Sequence, residues 1–195
     1  MLLAGLVVLA AGMKGEASIT EIERQRLLAH LAMTSAWLLD EVAGLSEAQL
    51  AFKPTKEAWS IAEVLDHVVV VAPIYWQDLQ RALATAPTDL APRDTDASIL
   101  WYGIDRTNRE QAIPTELPTT NVRPLKTLVA EYRTHHTRLR QYVMTTKDDL
   151  RRHLVARQGS DAYQWLLLIS THEQRHILQI REIKSAPGFP SAKGR

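Results

Sequence analysis

The chain of 195 residues contains no cysteine, which excludes disulfides, thiolate metal ligands and a cysteine nucleophile. It has almost no excess charge, with 23 Lys and Arg against 22 Asp and Glu. No basic stripe stands out, so a nucleic-acid partner is not expected. Glycine-rich phosphate loops, nucleophile elbows and nucleotide-binding fingerprints are also missing. No stretch alternates in the manner of a strand. The N-terminal apolar run, residues 2–11, is too short to cross a bilayer as a helix, so no stable membrane span is expected.

Residues 1–17 form an apolar leader with two readings. It can be the core of a signal peptide with Gly15-Glu16-Ala17 as cleavage site, although the basic segment that such peptides carry is missing. Alternatively Met13 is the true start. A cytoplasmic protein is the expectation, and an exported one if the leader is a signal.

What is present is helical periodicity and seven histidines. Residues 18–186 read as one helical domain, and residues 187–195 as a disordered tail. The first long helix spans about residues 19–42, capped by Ser18 with Glu21 or by Thr20 with Glu23, and Gly44 ends it. The second begins with a capping box, Ser60 with Glu63, and a hydrophobic staple of Trp59 on Val64. It runs to about residue 83 with Pro73 inside, where a kink is expected. Residues 86–123 form a long Pro-, Thr- and Asp-rich crossover that holds a short helix over 97–111. The third long helix starts at Pro124 and runs to about residue 144. The fourth starts near Asp161, with Gln164 three residues on, and stops before Pro187. Four such helices predict an all-α four-helix bundle. A long crossover between helices 2 and 3 lets these two run parallel, which gives up-down-down-up.

The inward stripe of the last helix reads Trp165, Ile169, His172, His176, Gln179, Ile183, with three polar residues in a seam that should be buried. Unpaired burial there is costly, so something must satisfy them. His172 and His176 stand at i, i+4 on one face, and His67 on the second helix can add a third imidazole. His67 lies about 10 Å along its helix from the start, and His176 about 12 Å from the end of its own. In antiparallel helices the two therefore fall at nearly the same depth. Three neutral imidazoles with open positions describe a reactive metal centre better than a closed structural site. Gln179 can serve as an outer-shell hydrogen-bond partner. Glu63 can act as general base on a metal-bound water, although its capping box explains it without chemistry. His136 shares the seam of the third helix and is the one further histidine placed to join. Arg175 and Arg181 can bind an anionic substrate but on an amphipathic helix read more readily as a solvated face, and His153 as part of a polar, basic loop.

The segment Trp59-Ser60-Ile61-Ala62-Glu63 followed by His67 resembles the second-helix signature of the DinB/YfiT-like superfamily. Residues 165–180, with His172 and His176, resemble its last helix, and the spacing of all four helices agrees from residue 19 to 185. The resemblance implies a bundle, frequently a homodimer, with a divalent metal on three histidines that map to His67, His172 and His176. It implies thiol S-transfer, maleylpyruvate isomerase-like chemistry or metal-dependent hydrolysis of a small-molecule substrate. Zinc or nickel is the expected ion, with a low-molecular-weight thiol as co-substrate where the reaction is transfer. The rival reading is a non-catalytic, metal-stabilised bundle acting as a dimerising interaction module.

Overall fold

The structure, a computed structural model, describes residues 19–109 and 111–191. The apolar leader and the last four residues lie outside the described residues. Four long helices carry the fold: α1 (Glu21–Val42), α3 (Ile61–Leu83), α5 (Leu125–Thr145) and α6 (Ala162–Ser185). Two short helices, α2 (Glu47–Ala51) and α4 (Asp96–Tyr102), lie in the connections, and a 3-10 turn spans Pro114–Glu116. A small hairpin, β1 (Leu154–Val155) and β2 (Ser160–Asp161), pairs antiparallel with Leu154 opposite Asp161.

Local chemistry sets the helix starts. Thr20 and Glu23 form the capping box of α1, Ser60 and Glu63 that of α3, and Asp161 and Gln164 that of α6. Each box satisfies two amides that a helix start would otherwise leave unbonded. Gly44, at φ +68°, turns the chain out of α1 in the left-handed conformation that glycine accepts without strain. Pro73 stays inside one continuous helix. Pro124 stands one residue earlier than expected, as the N-cap of α5.

Contacts along the helices give their directions. Arg24 near the start of α1 donates to Val143 O and to Thr146 O (3.1 Å) at the end of α5, so these two run antiparallel. Glu41 at the end of α1 receives Arg181 (2.6 Å) and Lys184 (2.7 Å) from the end of α6, so these two run parallel. Trp165, fully buried near the start of α6, donates from Nε1 to Tyr75 O at 2.9 Å midway along α3. His67 earlier in α3 meets His172 further along α6, so α3 and α6 are antiparallel. The bundle is therefore up-down-down-up. Helix α6 is its centre, buried on nearly every side from Ala162 to Ile177, because it packs on α1, α3 and α4 together. No described helix is long and apolar enough to cross a membrane.

Several expectations are corrected. The helix in the crossover ends at Tyr102 rather than near residue 111. It stops where Gly103 passes so close to α6 that a Cβ there would lie 2.8 Å from Gln174 Oε1 and 2.9 Å from Thr171 Cβ. Gly103→Ala should therefore push α4 off α6 at a cost of about 1–3 kcal/mol, a fall of roughly 3–10 °C in a thermal melt followed by circular dichroism. An unchanged midpoint would mean that this contact gives way freely. Helix α2 was not expected from periodicity, since five residues are too few to show one; a Ser46–Gln49 capping box starts it. The two strands were also unexpected, being two residues each and too short to alternate. In α5 Leu128 is fully buried, and Leu125 and Val129 pack half-buried against the same cluster. Within the segment read as a disordered tail, Phe189 packs edge-on against Phe52 at 5.5 Å, and Pro190 O accepts from Gln49 Nε2 at 3.1 Å.

Arginines pin the crossover to the bundle. Arg123 donates to the fully buried Asp66 at 2.9 and 2.8 Å, and Thr119 N–H donates to the same carboxylate at 2.6 Å. Arg106 grips Glu182 with two bonds, 2.6 and 2.9 Å. Arg151 joins Glu23, Asp96 and Asp161, so one guanidinium holds the starts of α1, α4 and α6 together.

Candidate metal centre

His67 projects from α3, and His172 and His176 from one face of α6. All three are buried, at 2%, 8% and 8% exposure. His172 Nε2 lies 3.0 Å from His176 Nε2 and 3.2 Å from His67 Nε2. One nitrogen from each ring falls within 4.8 Å of the other two, an arrangement that could hold a metal ion.

The outer nitrogens fix the tautomers. His67 Nδ1 lies 2.5 Å from Glu116 O, and His176 Nδ1 lies 2.8 Å from Gln179 Oε1. Both oxygens can only accept, so both Nδ1 atoms carry the proton, and in a neutral ring Nε2 is left as a bare lone pair. Burial holds the rings neutral. It is the leading cause that lowers all three pKa values: His67 below the usual histidine range, His172 well below it, and His176 to about 3. The other rings and nearby guanidiniums, Arg175 and Arg157 beside His172 and Arg106 and Arg175 beside His176, act in the same direction. The fit to an ion can be checked by size. Imidazole nitrogens at about 2.0 Å from a tetrahedral ion stand about 3.3 Å apart, close to the 3.0 and 3.2 Å that separate His172 Nε2 from the other two. The donor set suits a borderline divalent ion.

Aromatic rings wall the centre. Trp59 lies 5.0 Å from the His67 ring and Tyr75 5.5 Å from the His172 ring, measured between centroids. Burial, and then the charge of Glu116, push the Tyr75 hydroxyl above its ordinary range, so it stays protonated at neutral pH. Glu63 has both oxygens engaged, Oε2 by Ser60 N–H at 2.7 Å and Oε1 by Lys53 at 2.7 Å. Its pKa is lowered: burial pushes upward, but Lys53 and the Ser60 bonds outweigh it. Glu116, whose carbonyl holds His67, directs its own carboxylate to Arg157. Among the described residues no carboxylate hydrogen-bonds to any of the three rings.

His136 is not part of the cluster; its Nε2 lies 3.0 Å from Leu31 O on α1. His153 is buried rather than placed in an open basic loop, with Nδ1 3.2 Å from Ala82 O. Arg175 also departs from the solvated face expected of it. It is 6% exposed and donates to the carbonyls of Tyr102 (3.1 Å), Asp105 and Asn108, fastening the crossover next to the two α6 histidines. Nothing in the local sequence marks Glu116, Tyr75 or Arg157, which reach the centre through tertiary structure.

Comparison with known proteins agrees with this architecture. The chain is 28% identical over 149 residues to the uncharacterized protein YuaE of Bacillus subtilis (strain 168), covering 74% of this chain and 89% of that protein. Its fold matches YfiT from Bacillus subtilis, described as a probable metal-dependent hydrolase with an unusual four-helix bundle topology. The TM-score is 0.58 and the identity 17%, over 89% of this chain and 92% of YfiT. A family model described as the DinB superfamily matches residues 20–180. Matched over most of its length, the chain belongs to the DinB superfamily.

Proposed function

We propose that the protein is a metal-dependent enzyme whose divalent ion, zinc or nickel, is held by His67, His172 and His176. The observation that carries this reading is the convergence of three buried Nε2 atoms, two of them with their Nδ1 protons already given to fixed acceptors. A bound divalent ion lowers the pKa of a coordinated thiol or water and so supplies a nucleophile at neutral pH. The protein's own share is placement and exclusion. Glu116 O and Gln179 Oε1 orient two of the rings from outside. Burial keeps all three rings neutral, so at neutral pH no proton competes for their lone pairs. Trp59 and Tyr75 shield the centre from bulk water, and Tyr75 OH is a donor with no hydrogen-bond partner among the described residues. It can give a hydrogen bond to charge that develops on the substrate.

S-transfer to a small electrophilic molecule is the favoured reaction. Hydrolysis also needs a base that carries the water proton on to the leaving group, and Glu63 and Glu116 are both held by ion pairs. A thiol needs no such base once its pKa is lowered. The co-substrate is then a low-molecular-weight thiol, which goes with a cytoplasmic setting where thiols are kept reduced. Hydrolysis is the second reading, favoured by the description of YfiT, with Glu63 released from Lys53 as general base. The homodimer expected of this family is tested by sizing in solution.

The test is activity of zinc- and nickel-loaded protein towards an alkylating or epoxide electrophile, with and without a panel of low-molecular-weight thiols. Conjugation that is lost on chelation and restored by metal is the expected result. Metal-dependent turnover of an ester or amide without thiol would replace transfer with hydrolysis. A large chelator-induced fall in melting temperature with neither activity would favour the non-catalytic module.

A further inference from the structure

His67 is the one imidazole of the three that α6 does not carry, so its closure on the other two depends on how the crossover holds it. The hold is Glu116 O, at the end of the 3-10 turn. A turn of three residues has little stability of its own. Its internal bond, Glu116 N–H to Ile113 O at 2.9 Å, ties it to nothing else. Among the described residues from 111 to 118, only Glu116 makes hydrogen bonds to the rest of the protein. One runs from its carbonyl to His67, the other from its buried carboxylate to Arg157.

Arg157 stands in the turn between β1 and β2, where Gly159 N–H (2.8 Å) and Gln158 N–H (3.2 Å) both donate to Val155 O. Its guanidinium also lies 3.7 Å from Asp78 Oδ2 on α3, a buried oxygen with no hydrogen-bond partner. It sits over the Tyr75 ring at 5.4 Å, and Tyr75 packs beside His172. Arg157 is thus one residue removed from two of the three rings, and it comes from a hairpin that belongs to neither helix.

We propose that Arg157 is a positioning residue for the metal centre: by clamping Glu116 it sets the carbonyl that fixes the tautomer and pitch of His67. The hairpin then controls how firmly the third ligand closes on the ion. This inference rests on the metal-centre reading above. Outer-shell partners of this kind typically change metal affinity by about 10–100-fold.

The test uses Arg157→Ala, Glu116→Ala (which keeps the carbonyl) and the two combined, each also in a His67→Ala background. Two quantities are measured: cobalt(II) affinity by chelator competition, and the Nδ1–H proton resonance of His67 in metal-free protein. Each single change should weaken cobalt binding by about tenfold or more, and the double change by no more than the larger single one. In the His67→Ala background Arg157→Ala should have no further effect. The His67 Nδ1–H signal, present in wild type, should broaden or vanish in both single variants. Unchanged affinity in Arg157→Ala, or an equal loss without His67, would overturn the clamp. If the wild type binds no cobalt, the metal reading fails by itself. The Nδ1–H signal then still decides the clamp, which falls if the signal persists in Arg157→Ala.

Discussion

Replacing His172 with alanine should abolish tight metal binding while leaving the bundle folded. His172 is the vertex of the cluster, the ring whose Nε2 faces both of the others, at 3.0 and 3.2 Å. Its loss leaves two rings, on different helices with centroids 4.7 Å apart, which offer an ion two nitrogens instead of three. Losing an outer-shell partner already costs about 10–100-fold in affinity, so losing this ligand should cost more than about a hundredfold. The fold should survive, because Trp165, Leu166 and Ile177 of α6 remain fully buried around the site. The cavity left behind should cost about 1–3 kcal/mol. The apo protein carries a pH signature as well. The three folded-state histidine pKa values are lowered, so the unfolded chain takes up protons first as pH falls through about 6.5. Metal-free wild type should therefore lose stability below that pH, and His172→Ala should lose it less steeply. Competition titration and chemical denaturation across pH 5–8 measure both effects. Tight metal binding that persists in the variant would remove His172 from the centre.

The second large effect concerns Glu173, on the other side of α6. Its carboxylate accepts from Thr34 Oγ1 at 3.0 Å and Tyr132 OH at 3.1 Å. The network continues through Ser170 to His30 on α1. Tyr132, His135, His136 and Arg138 of α5 line the small cavity beside it. Burial raises its pKa to about 7, and the two hydroxyl bonds only partly offset this. The folded protein thus holds a proton that the unfolded chain releases above about pH 4.5. Glu173's own contribution to stability should fall as pH rises from about 4.5 to 7 and stay low above that range, against the opposite slope that the three histidines supply. A shift of this size corresponds to about 3 kcal/mol. Glu173→Gln keeps both hydroxyl bonds and removes the charge. At pH 8 it should be more stable than wild type by up to about 3 kcal/mol, or roughly 6–12 °C. The two proteins should converge near pH 4.5. A variant less stable than wild type at pH 8 would show that an ionised Glu173 is stabilised in the fold.

The framework of this fold is written in local chemistry. Capping residues and apolar stripes mark α1, α3 and α6 to within a residue or two, because each box satisfies amides that only a helix start exposes. The length of the crossover implies parallel middle helices, and Asp66 with Arg123 joins their starts. The placing of His67 level with His176 follows from helix rise alone. The centre's surroundings are a different matter. Glu116 holds His67 with its backbone carbonyl, which any residue could supply, so its identity carries no signal. Arg157 reaches the site from a hairpin of two-residue strands, too short for periodicity to register. The stop of α4 falls at its C-cap, Gly103, a glycine inside the 97–111 pattern that is itself a local stop signal and that also packs against α6. Arg175 reads as one more charged residue on an amphipathic helix, and only the returning crossover turns that face into an interior. What could not be read locally is what the crossover and hairpin do once they fold back on α6.

The measurement that tests the central claim most directly is X-ray absorption at the metal edge of purified wild-type protein reconstituted with zinc, combined with metal stoichiometry. One equivalent per chain, with a first shell that includes about three imidazole nitrogens near 2.0 Å, is the result that the converging Nε2 atoms predict. Protein that stays metal-free after reconstitution, or a shell dominated by carboxylate oxygens, would contradict it and leave the three histidines as a buried polar cluster.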